Sequence, residues 1–147
     1  MTTSSNKILR AISLVLRVAL GGIFVYAAYV KLREPWQLFA LAIDSYRMLP
    51  LKWVELVART LPWVELIIGL ALMVGRGLRV FATITSLVLL VFIGALLRAK
   101  LKGMEISCGC FGNNEPLTWW TLARDSSMLI ASLLVTAAAF VRQRKVA

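Results

Sequence analysis

The chain contains no histidine. That removes the commonest general base and metal ligand near neutral pH. A Ser-His-Asp triad, a histidine-held haem and a histidine-based zinc site are all excluded. Acidic residues are scarce, seven against seventeen Lys and Arg, for a formal net charge of +10. Charge of either sign is thin: 16% of residues are charged, where soluble domains carry about a quarter. Only two cysteines occur among the 147 residues. No repeat or low-complexity segment interrupts the chain, and its length suggests a single domain, 1–147. Any chemistry must run on cysteine, carboxylates, hydroxyls or a borrowed cofactor.

What is abundant is apolar surface: 60% of residues are hydrophobic and the mean hydropathy is +0.81. The basic excess flanks apolar segments instead of clustering on one face. It therefore argues against nucleic acid and for an anionic membrane surface. About 20 apolar residues cross a bilayer, and four stretches qualify: 12–30, 53–75, 78–97 and 120–141. The first is too long for a signal-peptide core, and three more spans follow it. Between the first two spans, Trp36, Phe39, Ile43 and Tyr46 recur at three or four residues within 35–49. Pro35 suits a first helical position and Pro50 ends the run. The expected fold is an all-α membrane protein: a four-transmembrane-helix bundle with an additional amphipathic interfacial helix between spans 1 and 2. That short helix could also be a lid over the bundle mouth.

Lys and Arg placement sets orientation. The short basic turn Gly75-Arg76-Gly77-Leu78-Arg79 resists translocation, which puts both termini in the cytoplasm. The expected location is the bacterial inner membrane, multi-pass, with the cysteine loop at 98–119 on the periplasmic side. That compartment permits disulfides.

Charges within spans are expensive and mark functional candidates. Depth counted from the span ends pairs Arg17 with Glu65, and Arg59 with Asp125. Both pairs read as helix clamps, with a proton-handling role open for Asp125. Pro62 loosens its helix just before Glu65. Gly21, Gly22, Gly69 and Ala137 to Ala139 permit close helix contact.

Both cysteines fall in one run, Cys108-Gly109-Cys110-Phe111-Gly112. Two thiols one residue apart read as a dithiol/disulfide couple. The small ring they close departs from relaxed disulfide geometry, and strain makes a disulfide more oxidising. Gly109 supplies the backbone freedom. Arg98, Lys100, Lys102 and Arg124 offer positive charge that lowers a thiol pKa. Gly112, Asn113 and Asn114 read as a turn, giving an accessible loop suited to docking. A static disulfide, two inert cysteines, and a Cu(I) site from Cys108, Cys110 and Met104 stand as alternatives.

Together these residues resemble the MauE branch of the DoxX-like membrane proteins. The resemblance is carried by Arg17-Val18-Ala19-Leu20-Gly21-Gly22-Ile23-Phe24 with Lys31-Leu32. It continues in Leu61-Pro62-Trp63-Val64-Glu65-Leu66 with Gly69, in the cysteine run, and in Arg124-Asp125. It covers about Leu16 to Leu134, and the cysteine motif is its specific part. The resemblance implies a four-helix membrane bundle and a role in methylamine utilisation or a related pathway, helping to form disulfides in exported proteins. It also implies thioredoxin-like partners and, from the DoxX branch, sulfur-compound oxidation feeding quinone. Four-helix membrane thiol oxidases offer a mechanistic analogy, but they carry Cys-x-x-Cys and a second pair that this chain lacks. The expected function is a membrane thiol–disulfide oxidoreductase linked to quinone. Its partners would be membrane lipid and an exported thioredoxin-like or disulfide-containing protein. A non-enzymatic assembly factor, a Cu(I)-holding docking protein and a subunit of a sulfur-compound:quinone oxidoreductase are the alternatives. The expected site is Cys108 and Cys110, supported by Gly109, Phe111, Gly112, Arg124, Asp125, Arg59 and Lys31, with Arg17–Glu65 as an intramembrane pair.

Overall fold

Inside a bilayer the backbone must satisfy its own hydrogen bonds, so long apolar runs become helices. The computed structural model, which describes residues 2–108 and 116–144, bears this out. Five helices follow in order: α1 (Thr2–Arg33), α2 (Trp36–Ser45), α3 (Leu51–Val74), α4 (Leu78–Leu101) and α5 (Trp119–Arg144). All but α2 are long and apolar enough to cross a membrane. The chain is a multi-pass membrane protein with an all-α, four-helix bundle. Neighbours close a ring: α1 packs on α3, α3 on α4, α4 on α5 and α5 on α1. Both described chain ends lie at one end of the bundle. The other end carries α2 and the connection between α4 and α5, and is called the cysteine end below.

The interior is assembled from one stripe of each long helix. Leu20 and Phe24 of α1, Ile68 and Leu72 of α3, Ala82 and Leu89 of α4 and Val135 of α5 form the main cluster. The opposite faces stay apolar and exposed, as at Val15, Ile67, Val91 and Leu134. That distribution suits lipid outside. Lipid is as apolar as the core, so close packing and polar pins must hold the helices together. Between α1 and α3 the pin is a glycine contact. A Cβ on Gly21 would stand 2.7 Å from the Gly69 carbonyl oxygen, and a Cβ on Gly69 would stand 2.7 Å from the Gly21 oxygen. Gly22 faces open space. Between α4 and α5, Ser86 and Ser132 hydroxyls meet at 2.7 Å.

Helix ends depart from the expected spans for local reasons. The first helix begins at Thr2 rather than residue 12, because polar residues 3–10 continue the helical pattern. The amphipathic segment stops at Ser45 rather than 49. Arg47 adopts φ 49°, and Leu49 precedes Pro50, which disfavours the helical region. Pro35 caps α2 (φ −57°, ψ 131°) rather than occupying its first turn. The α3–α4 turn needs two left-handed residues, and glycine fills both: Gly75 (φ 82°) closes α3 and Gly77 (φ 59°) opens α4.

Candidate functional site

The connection after α4 folds back onto the bundle. The Met104 amide donates to the Ala99 carbonyl at 3.1 Å. Met104 and Ile106 then pack against Leu96 and Ala99. Ser107 and Pro116 form an isolated bridge, and the Leu117 amide donates to the Ile106 carbonyl at 3.1 Å. The Lys100 ammonium donates to the Leu117 carbonyl at 3.4 Å. The Thr118 hydroxyl accepts from the Thr121 amide at 3.3 Å, capping α5. Both flanks of the cysteine run are thereby fixed to the bundle.

Cys108 sits just inside that staple. It is disulfide-bonded, and among the described residues no cysteine is free. It is 1% exposed, packed with Leu96, Ala99, Leu117 and Leu122. An accessible loop was expected; at Cys108 the apolar residues on both sides pull the segment into the bundle. The expectations for Gly109, Cys110, Phe111 and Gly112 lie outside the described residues. Met104 borders the same cluster.

Tyr46, the last residue of the amphipathic stripe, donates its hydroxyl to the Cys108 carbonyl at 2.9 Å. Burial raises the Tyr46 pKa above its ordinary value of 10.0, and the nearby charge of Asp125 raises it further. The phenol therefore stays a donor at physiological pH. Asp125 projects from α5 and is 3% exposed. It accepts from Arg124 Nε at 3.3 Å. The short helix α2 packs mainly on α3 and touches α1. Phe39 covers the Lys31 ammonium, 5.2 Å from its ring centre. Of the two readings weighed for this segment, the structure shows a short helix held on the α1–α3 side of the bundle, with Tyr46 beyond its end reaching the cysteine loop.

Beneath Phe39, Lys31 of α1 meets Glu65 of α3, with Nζ 2.8 Å from both carboxylate oxygens. Lys31 is 7% and Glu65 8% exposed. These two and Asp125 border one half-open hollow whose lining comes from all four long helices; its other walls include Phe24, Phe92 and Met128. The hollow offers about 50 Å³, on a measure where one water needs about 10–15 Å³.

Two expected pairs do not form. Glu65 takes Lys31, not Arg17. The Gly21–Gly69 contact sets the register, and it brings the Arg17 guanidinium to 2.7 Å from a Cβ position at Gly75. From position 75 back to 65 is about 15 Å of helix. Arg17 is therefore level with the α3–α4 turn, out of reach of Glu65. Arg59 does not meet Asp125 either. It lies on the outer face of α3, its side chain 56% exposed, bridged to Glu55 at 2.9 Å. Trp36 stacks on it at 4.2 Å. Reading from the sequence missed the Lys31–Glu65 pairing and the part of Tyr46. The signals were present: matching Gly21 to Gly69 gives the register, and a phenol ending an apolar stripe needs a partner when buried.

This arrangement has relatives. A family model described as methylamine utilisation protein MauE matches residues 9–139. A curated relative from Paracoccus denitrificans, described as methylamine utilization protein MauE, is 32% identical over 123 residues. The match covers 82% of this chain and 66% of that protein, just under two thirds of the relative's length. No solved structure matches the chain.

Proposed function

Since the chain belongs to the MauE family, we propose that it serves methylamine utilisation, or a related pathway, as a membrane thiol–disulfide oxidoreductase that oxidises exported proteins. One observation carries this reading: Cys108 is disulfide-bonded, buried and gripped by Tyr46, in a cluster that shares Phe92 with a hollow bordered by charged groups. A mere docking loop needs no buried Asp125 beside it.

In this reading Cys108 and Cys110 form the exchanging couple. Cys108 is shielded, so the partner's thiolate attacks the Cys110 sulfur. The bond between Cys108 and Cys110 breaks, and its electron pair goes to Cys108. A second partner thiolate then attacks the mixed disulfide at the partner's own sulfur and releases Cys110. The partner leaves oxidised, and the pair is left as a dithiol holding two electrons. Asp125 takes up and passes on protons as the thiols form and ionise. A lipid-soluble acceptor of the quinone class removes the electrons. Both termini face the cytoplasm of a bacterial inner membrane, and the cysteine end faces the periplasm. The partner is thioredoxin-like or a disulfide-containing substrate.

The test is the redox state of the pair in native membranes, read by alkylation mass shift across a glutathione titration. Reversible titration between about −120 and −270 mV is expected. A pair locked in one state across the range would end this reading. A second reading, a Cu(I)-holding docking protein, is favoured by Met104 beside Cys108. Stoichiometric copper in protein purified under reducing conditions would support it.

A further inference from the structure

We infer that the hollow beneath the cysteine end binds the head of a lipid-soluble quinone, with the Lys31 ammonium as its hydrogen-bond donor. The purpose of that binding rests on the disulfide-exchange reading above; the binding itself does not.

The walls argue for the ligand class. Charged groups inside a bilayer are costly, and they are kept where they serve a pathway or a ligand. Here Lys31, Glu65 and Asp125 converge on one space that all four spans help to enclose. The Lys31 ammonium has three N–H donors, and Glu65 oxygens take two of them at 2.8 Å. The third has no acceptor among the described residues, so it can donate to a carbonyl oxygen. The remaining walls include Phe24, Phe92 and Met128, which suit a flat ring by stacking and by sulfur–aromatic contact. A lipid acyl chain would need none of the charges. An anionic headgroup would meet two carboxylates.

Size agrees. The 50 Å³ of the hollow corresponds to roughly four waters, or about 120 Å³ of liquid. That is close to a six-membered ring carrying two oxygens. The hollow is half-open, so a tail can run out between helices. Its upper edge adjoins the cluster around Cys108: Phe92 lines the hollow and also packs against that cluster.

The reaction balances without another reactant. Dithiol plus quinone gives disulfide plus quinol. Two S–H bonds break and one S–S bond forms. Two electrons pass to the ring, and two protons end on its oxygens. Asp125 is the carboxylate on the proton route, and Lys31 is the donor that favours negative charge on the nearer ring oxygen.

The experiment uses the full chain in lipid nanodiscs and a photoreactive short-chain benzoquinone, with adducts mapped by peptide mass spectrometry. Labelling is expected on peptides of α1, α3, α4 and α5 that border the hollow. It should be competed by decyl-ubiquinone and not by decanol. Ala27→Leu, which narrows the lining, should lower labelling at least tenfold. Lys31→Gln with Glu65→Gln, which leaves no unpaired charge, should weaken competition about tenfold. Cys108→Ser with Cys110→Ser should label like the unaltered chain. Labelling that decanol competes equally, or that Ala27→Leu leaves unchanged, would overturn the site and leave a water-filled hollow. If quinone binds but does not reoxidise the dithiol, the disulfide reading fails and the site stands. If cysteine exchange proceeds and no quinone is captured, the site fails and that reading stands.

Discussion

At the cysteine end of the bundle, the buried Lys31 and the half-buried Arg124 have carboxylates beside them. Lys31 has Glu65 at 2.8 Å and Arg124 has Asp125 at 3.3 Å. At the opposite end no Asp or Glu side chain is available to pair with, because none occurs in residues 2–33, 66–104 or 126–147. Arg79 instead stacks on Phe140 at 4.7 Å. The contrast separates two uses of charge in one membrane protein. At the terminal end, cations near the surface suit anionic lipid and bias insertion. At the cysteine end, cations are balanced inside the bundle and surround a hollow. The first arrangement orients the chain; the second is where chemistry is available.

The largest expected effects fall at the cysteines. Cys108→Ser should trap a mixed disulfide between Cys110 and the partner, because Cys110 is the sulfur that bonds to the partner. Cys110→Ser should trap none. Non-reducing gels followed by mass spectrometry check this, and the reverse asymmetry would make Cys108 the attacking residue. Next come the buried charges. Lys31→Met strands Glu65 and should cost about 3–5 kcal/mol, much of it restored by adding Glu65→Leu. Arg17→Gln, at the other end, strands no carboxylate and should cost less, about 1 kcal/mol. Thermal unfolding in nanodiscs reads both. Equal losses at the two ends would erase the contrast between them.

How far the sequence went follows the same division. Helix count, span positions and the short amphipathic helix were legible, because hydropathy and the three-to-four-residue stripe are local signals. The family was legible from the cysteine run and the glycine and charge motifs. Which charges meet was not. Pairing Arg17 with Glu65 assumed that spans align by their apolar ends. The polar first turns of α1 extend that helix to Thr2, and close packing of Gly21 on Gly69 sets the register instead. Arg59 misled for another reason. At matched depth a residue can lie on the outer face, and Glu55 one turn away already holds it. The burial of Cys108 was hidden because loop polarity says little about a segment stapled at Ser107 and Pro116.

That register can be broken directly. Gly21→Ala or Gly69→Ala would put a methyl group about 2.7 Å from a backbone oxygen of the facing helix, so the helices must separate. The expected cost is about 1–3 kcal/mol. Separation would also move Lys31 away from Glu65. Gly22→Ala, facing open space, is the control and should be neutral or slightly stabilising. If all three variants unfold alike, the glycine contact does not set the register.

The smallest effect tests the link between α2 and the cysteine loop. Tyr46→Phe removes one hydrogen bond, to the Cys108 carbonyl, and should cost about 0.5–1.5 kcal/mol at neutral pH. Its pH dependence is more telling than its size. The Tyr46 pKa is raised in the folded protein by burial and by the Asp125 charge. The folded chain therefore keeps this proton where the unfolded chain, with a Tyr pKa of about 10, releases it. The grip contributes fully below about pH 10 and is lost as pH rises above that value. Stability of the unaltered chain should thus converge on that of Tyr46→Phe above about pH 10, after a constant gap below it. Asp125→Asn should leave the onset near pH 10 but make the loss smaller and complete at lower pH, because removing the negative charge lowers the folded Tyr46 pKa toward the unfolded value. Parallel curves for the unaltered chain and Tyr46→Phe throughout would mean that Tyr46 does not tie α2 to the cysteine loop.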